Sequence, residues 1–335
     1  MTNVFIRGEG VAACCCAHLL KQADLHLRLE SVDRPKQPAI MLGQTAQKLL
    51  RDVFVRPDLF DGFPRIRKRV VLWGANAELL EVPHVGVVAS ERVLLERIRP
   101  APEDADLPAI APFDWTILAS RPLPPGSLGH EFGSRIAAAA RVGMKAASER
   151  EVCWIESLDR GWLFLLPDGA DGGWLLSVGD PADSLLGGSR LIAKQIEDLG
   201  EPGAKFPSHP RITDPLCGMG WLACGAAALG FDPLCGDGAG HAVREAILAS
   251  AVIRAATDGA DTQALVVHYR ARLLAGFMKH LQTCGEFYAR GRRGDWWDGE
   301  IESLRQGLAW CRGQLDGASG GRFRLNGFAL EAMED

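Results

Sequence analysis

The stretch VFIRGEGVAACCCAHLL occupies residues 4–20 and admits two incompatible readings. The glycines of Arg7-Gly8-Glu9-Gly10 suggest a turn that cradles a phosphate, whereas the run Cys14-Cys15-Cys16 suggests metal or redox chemistry. The context decides between them. Asn3 to Arg7 is a short apolar run of the kind that forms a buried parallel strand, and the periodic apolar stretch Val11–Leu20 reads as a helix. Between them, Gly8-Glu9-Gly10-Val11-Ala12-Ala13 fits G-x-G-x-x-A in a strand–turn–helix setting. Gly8 permits the tight turn, Gly10 lets the backbone approach a pyrophosphate, and Ala13 keeps the helix close to the strand. The free N–H groups of the helix start face the anion. A second apolar strand, Leu25–Leu29, ends in Glu30, 22 positions after Gly8, where a carboxylate accepts ribose hydroxyls. Three consecutive helical cysteines point roughly 100° apart and cannot converge on one ion. They are expected to pack against the sheet as small apolar residues.

The bulk properties narrow the classes. The chain has 335 residues, 47% hydrophobic and 24% charged, enough for one large or two interleaved domains. A net charge of −5 leaves no basic footprint for nucleic acid. No apolar run reaches the ~18 residues of a membrane span, and the opening MTNVFIRGEG lacks the pattern of a secretory signal. Nine cysteines, odd in number and without a CxxC pair, suit reduced thiols and a cytoplasmic setting.

A second glycine-rich element lies near residue 230. Trp221–Cys224 reads as a strand, 225–235 as a loop and Ala239–Ala256 as a helix. Asp232-Pro233-Leu234-Cys235-Gly236-Asp237-Gly238-Ala239 therefore places glycines at a helix start, where backbone N–H groups carry partial positive charge.

Taken together these motifs resemble the flavin-dependent monooxygenases of the hydroxybenzoate-hydroxylase fold, especially the branch that contains the tryptophan halogenases. That family carries G-D-A-A, then D-P-x-x-x-x-G, then A-x-x-[DE]-A-x-x-L-A. Here Gly225-Ala226-Ala227-Ala228, Asp232-Pro233, Gly236, Gly238 and Ala242–Ala249 fall in step with it. Gly161-Trp162-Leu163-Phe164-Leu165-Leu166-Pro167 resembles the halogenase G-W-x-W-x-I-P, with Phe for the second Trp and Leu for Ile. With the N-terminal fingerprint, the likeness spans residues 3 to about 256. Three departures stand out. Ala226 replaces the aspartate that holds the ribityl chain in relatives. Ala119-Ser120-Arg121 stands where many have Ala-Asp-Gly. The halogenase lysine has no secure counterpart: Lys68 lies in the right neighbourhood, within Arg65-Ile66-Arg67-Lys68-Arg69, a run that reads as a solvated charged face.

The resemblance implies an α/β fold, with an FAD-binding Rossmann-like domain of the glutathione-reductase type, an antiparallel-sheet substrate domain and C-terminal helices. The expected FAD domain is discontinuous, comprising residues 1–63, 89–121 and 209–260. Residues 64–88 and 122–208 would form the substrate domain and 261–335 a helical region. Along the chain, helices are expected near Thr45–Val53, Ser90–Ile98 and 262–290, a Pro- and Ala-rich loop at 100–112, and turns at Asp168-Gly169 and Asp171-Gly172-Gly173. The implied cofactor is FAD, bound by Gly8, Gly10, Ala13, Glu30, Asp232, Pro233, Gly236, Asp237, Gly238 and Ala239, with Trp162 and Phe164 at the substrate pocket. No catalytic residue and no metal ligand is assigned. His241 reads as a packing or capping residue, and Trp296-Trp297 as anchors of a terminal segment.

The activity so implied is monooxygenation of an aromatic or indole-bearing substrate through a flavin C4a-hydroperoxide, in an apolar pocket that excludes water. Its partners are O2, a small aromatic or peptidyl substrate, and NAD(P)H or a separate flavin reductase as electron source. Some members of that branch modify tryptophan in small molecules, and others hydroxylate a tryptophan within a partner polypeptide during quinone-cofactor maturation. A degenerate flavoprotein-like scaffold and a flavin-dependent halogenase are the alternatives.

Overall fold

A computed structural model of the protein describes residues 2–23, 25–75, 77–100, 112–169, 172–316 and 323–333. The expected loop at 100–112 and the turn residue Asp171 fall largely or wholly outside the described residues. Seven helices are described: α1 (Val11–Lys21), α2 (Gln44–Phe54), α3 (Glu91–Ile98), α4 (Ala182–Gly188), α5 (Gly238–Thr257), α6 (Thr262–Ala289) and α7 (Asp295–Leu315).

The first sheet has five strands in the order Cys217–Gly218, Trp221–Ala223, Trp115–Leu118, Asn3–Arg7 and His26–Glu30. All neighbours are parallel except the short edge strand Cys217–Gly218. Register aligns their carboxyl ends: Arg7 pairs with both Glu30 and Leu118, and Leu118 with Ala223. The segments that follow, 8–10, 119–121 and 224–228, therefore emerge at one edge, the usual location of ligands in open parallel sheets. The cysteine triplet of α1 is buried in the core, as expected of small packing residues, and Cys16 Sγ lies 3.7 Å from the Ala246 carbonyl of α5.

The second sheet has nine strands and is antiparallel apart from one parallel pair, Arg65–Leu72 with Val152–Leu158. Strand Ile40–Gly43 closes one edge by pairing with Leu80–Ala89. Because side chains alternate across a strand, the sheet has two faces. Val70, Trp154, Leu163, Leu165 and Leu175 pack under Leu185 of α4. Cys153, Phe164 and Leu166 lie on the opposite face, toward Met41.

Two features extend the expected helical C-terminus. Helix α7 packs along α6, held by Trp297, whose Nε1 donates to the Leu158 carbonyl at 3.0 Å, and this fulfils the anchoring role read for that residue. Residues 323–332 then form a hairpin, Phe323–Asn326 with Ala329–Ala332. Its two-residue loop begins at Gly327 with φ +57°, a conformation that favours glycine. Among the described residues no helix is long and apolar enough to cross a membrane.

Candidate functional site

The N-terminal glycine turn lies at the carboxyl edge of the parallel sheet. Gly8 has φ +136°, and a Cβ on it would lie 2.9 Å from Ser120 Oγ and 3.1 Å from Ala119 Cβ. The segment Ala119-Ser120 that departs from the family pattern thus packs directly on this turn. Gly10 is the N-cap of α1, and no side chain among the described residues caps the helix, so its first N–H groups point outward without an internal acceptor. Ala13 is fully buried between helix and sheet. Arg34 Nη2 lies 3.2 Å from the position a Gly10 Cβ would take, and Arg34 is itself ion-paired with the buried Glu91. Glu9 pairs with Lys36 and Arg99. Three cations against two carboxylates leave this cluster beside the turn net positive, which suits a diphosphate.

Glu30 ends the strand His26–Glu30 at the same edge of the sheet. Its carbonyl accepts the Gly8 N–H at 2.8 Å, while its half-exposed carboxylate pairs with Arg7 Nε at 3.3 Å. Further along, Gly225 has φ +59° and donates its N–H to Glu245 Oε2 at 2.7 Å. Burial pushes the Glu245 carboxyl up to about 8, against the opposing pull of that N–H and of Arg244. Ala226, next in sequence, is exposed on this turn.

The second glycine turn faces the nine-stranded sheet. Pro233–Cys235 makes one 3-10 turn, Gly236 follows with φ +61°, and α5 starts at Gly238. Asp237 pairs with Arg244 and contributes no side-chain cap, so the start of α5 is also open. A Cβ on Gly238 would meet no described atom within 4 Å; one on Gly236 would lie 3.8 Å from both Arg69 Nη2 and Met41 Cε. Ala239 follows within the first turn of α5 and is half-buried. At both glycines a single added carbon would clash with no described atom beyond the turn.

Asp232 and Trp162 depart from the roles expected of them. Asp232 is fully buried: its carboxylate accepts the Leu234 N–H at 2.8 Å and the Tyr288 hydroxyl at 2.9 Å, and pairs with Arg135 at 2.9 Å. It shapes the turn from within rather than facing a ligand, and its partner Pro233 starts the 3-10 turn. Trp162 is 1% exposed, and its indole donates to the Tyr288 hydroxyl at 3.0 Å. It is a core residue between the large sheet and α6. Phe164, two positions along and on the same face, is half-buried and packs on the cluster that includes Met41.

Lys68 is engaged by Glu81 at 3.2 Å and Glu149 at 3.3 Å, in keeping with a solvated face. Its neighbour Arg69 is the basic residue of the run that reaches the Gly236 turn, a position that sequence reasoning missed; strand alternation from Lys68 is the signal that separates the two. His241 stacks on Phe231 at 3.8 Å, and burial, reinforced by Arg244, lowers it to about 4. A shallow depression lined by Thr2, Asp114 and Met219 lies at the opposite, amino-terminal edge of the parallel strands, away from both glycine turns.

No protein-family profile matches the chain, and no curated protein matches it in sequence. Solved structures do match. The flavin-dependent halogenase CmlS superposes with a TM-score of 0.72 at 16% identity, over 95% of this chain and 71% of its own. QhpG, a peptidyl tryptophan dihydroxylase essential for tryptophylquinone cofactor biogenesis, gives 0.71 at 18% identity over 89% of this chain and 78% of its own. A variant of HpxO from Klebsiella pneumoniae, complexed with FAD, gives 0.65 at 15% identity over 95% and 98%. The chain therefore has the fold of the FAD-dependent halogenases and monooxygenases, as its motifs led us to expect.

Proposed function

We propose that the protein is an FAD-dependent oxidoreductase, and more narrowly a monooxygenase that hydroxylates an aromatic or indole-bearing substrate. The observation that carries this reading is the pair of uncapped helix starts, α1 behind Gly10 and α5 behind Gly238, on a fold shared with flavoenzymes of that chemistry. FAD, when bound, supplies two-electron chemistry and oxygen activation. The chain supplies the rest. The N–H groups of α1 with Arg34 hold the diphosphate, and Glu30 takes the ribose hydroxyls. The turn at Gly236 and Gly238 offers backbone donors to the ring edge that gains negative charge on reduction. Phe164 and Arg69 line the side from which substrate approaches, Phe164 keeping water out and Arg69 presenting a cation. O2 and a small aromatic or peptidyl substrate are the partners, with NAD(P)H or a separate flavin reductase as electron source.

A visible spectrum of protein reconstituted with FAD tests the cofactor, since bound oxidised flavin is yellow and its fluorescence is altered on binding. Colourless protein that leaves FAD free would favour the scaffold reading, to which Ala226 and Ala119-Ser120-Arg121 lend support. The reaction is tested with reduced flavin, O2 and a panel of indoles and tryptophan-containing peptides, with and without bromide. Gain of one oxygen atom irrespective of bromide supports hydroxylation. The structural likeness to halogenases supports the second reading, and a brominated product would establish it over ours.

A further inference from the structure

All nine cysteines lie among the described residues as free thiols, and of these only Cys235 is partly exposed. It ends the 3-10 turn immediately before Gly236. Its Sγ lies 3.6 Å from Sγ of Cys284 on α6, and Cys284 Sγ lies 3.3 Å from Nε2 of His280, one helical turn earlier. The three ligand atoms fall within 4.8 Å of one another, a spacing that invites comparison with a thiolate–imidazole metal site. The imidazole argues against that use. Its Nε2 lone pair already accepts the buried Asp232 N–H at 2.9 Å, and a metal taking that lone pair would leave the N–H without an acceptor. What remains is two thiols in contact, one open to solvent and one behind it. The comparison within the protein is Cys16 with Cys224, which also interact but are both 0% exposed and out of reach of any oxidant.

We propose that Cys235 and Cys284 are a peroxide-oxidisable thiol pair that closes into a disulfide, fastening the turn 232–238 to α6. The oxidant is hydrogen peroxide. The Cys235 sulfur attacks one peroxide oxygen and the O–O bond breaks, giving Cys235 sulfenic acid and one water. The Cys284 sulfur then displaces the sulfenic hydroxyl, which leaves with the Cys284 proton as a second water. Two thiols have lost two electrons, and one peroxide has become two waters. The sulfurs must close from 3.6 Å to about 2.05 Å, a movement the short turn ahead of Gly236 is placed to make. Exposure assigns the order: the accessible Cys235 meets the oxidant, and the buried Cys284 resolves it. The chemistry of the pair stands apart from the flavin reading. On that reading, however, peroxide released by reduced flavin and O2 in the absence of substrate would arise beside this turn.

The test uses the full chain without added flavin. Protein is treated with hydrogen peroxide, the remaining thiols are blocked under denaturing conditions, and the digest is read by mass spectrometry. We expect blocked thiols to fall from nine to seven, a peptide linked through residues 235 and 284, and full reversal by dithiothreitol. Cys235→Ser, at the half-exposed position, should form no link and keep its other eight thiols. Should Cys284→Ser fail to fold, the wild type and Cys235→Ser decide the matter alone. Unlinked Cys235 sulfinic acid in the wild type, or a link between other cysteines, would overturn the proposal. So would one equivalent of zinc in the purified protein that shields Cys235 and Cys284 from alkylation. Failure of FAD to bind would leave all of these readouts intact, which separates this inference from the proposed function.

Discussion

Arg135 Nε lies 2.9 Å from Asp232 Oδ2, and neither side chain exposes any surface. The same guanidinium pairs with Glu300 of α7 and lies over the Tyr288 ring at 4.7 Å, while Tyr288 receives Trp162 and donates to Asp232. The tryptophan of one motif and the aspartate of another are thus joined through a single tyrosine. Their common purpose is to hold the glycine turn at a fixed distance from the large sheet. Burial drives the Asp232 carboxyl upward and Arg135 opposes that shift, so the two depend on each other.

Arg135→Met should therefore cost about 3–5 kcal/mol, the range for removing one member of a buried ion pair, because two carboxylates lose their counter-charge. Urea unfolding of the variant against wild type measures it. A loss below about 1 kcal/mol would mean that the network is not what secures the turn.

Glu245 gives a pH dependence of definite sign. Its folded-state value of about 8 lies above the ordinary 4.5, so the folded chain binds a proton that the unfolded chain releases. Stability is then highest below 4.5 as far as this group is concerned, and falls as pH rises to 8, by about 1.4 kcal/mol per unit. His280, lowered to about 3, and His241, lowered to about 4, both first by burial, act in the other direction below 6.5. Between pH 6.5 and 8 the carboxyl is unopposed by them, and Glu245→Gln should remove about 1–2 kcal/mol of the decline there. Equal slopes for the two proteins in that window would show that Glu245 is ionised at neutral pH.

The parallel-sheet half was readable because its signals are local. Strand, glycine turn, helix and terminal Glu30 follow one another within a single unit, and each implies the next. The register that aligns Arg7, Glu30, Leu118 and Ala223 also follows once the strands are known to be parallel. What escaped depended on distant partners. Asp232 looks like a ligand contact until Arg135, 97 positions away, is seen to neutralise it. Trp162 looks like a pocket wall until Tyr288 covers its indole. Likewise Cys235 and Cys284 are 49 residues apart and share no motif spacing, whereas the conspicuous Cys14-Cys15-Cys16 run serves packing. The hairpin at 323–332 was within reach, since Asn326-Gly327 between alternating apolar residues is a hairpin signal.

Glu30→Ala should weaken FAD binding by about 1 kcal/mol, below the 1.5–3 kcal/mol of a well-buried charged hydrogen bond. The reason for the smaller figure is in the structure: the carboxylate is half-exposed and shared with Arg7. Titration of flavin fluorescence gives the affinity directly. An unchanged dissociation constant would remove Glu30 from the ribose contact.

Gly238 and Ala226 probe the two ends of the proposed ring and ribityl site, and the structure makes both substitutions clean. A Cβ at Gly238 would meet no described atom within 4 Å beyond its own turn, and its backbone is not in the left-handed region, so Gly238→Val should change stability by no more than about 1 kcal/mol. Any large effect must then fall on whatever lies outside the turn. We expect loss of flavin colour with an unchanged far-UV spectrum and unfolding midpoint. Ala226→Asp is the complement. Ala226 is exposed on the 3-10 turn Gly225–Ala227, so an aspartate there costs little desolvation and restores a carboxylate beside the expected ribityl hydroxyls. It should tighten FAD binding by about 1–2 kcal/mol, the worth of a hydrogen bond to a charged group less its residual hydration. If Gly238→Val keeps its flavin while Ala226→Asp gains nothing, the ring does not lie along the start of α5. A fold with both helix starts open would then have to serve a different ligand.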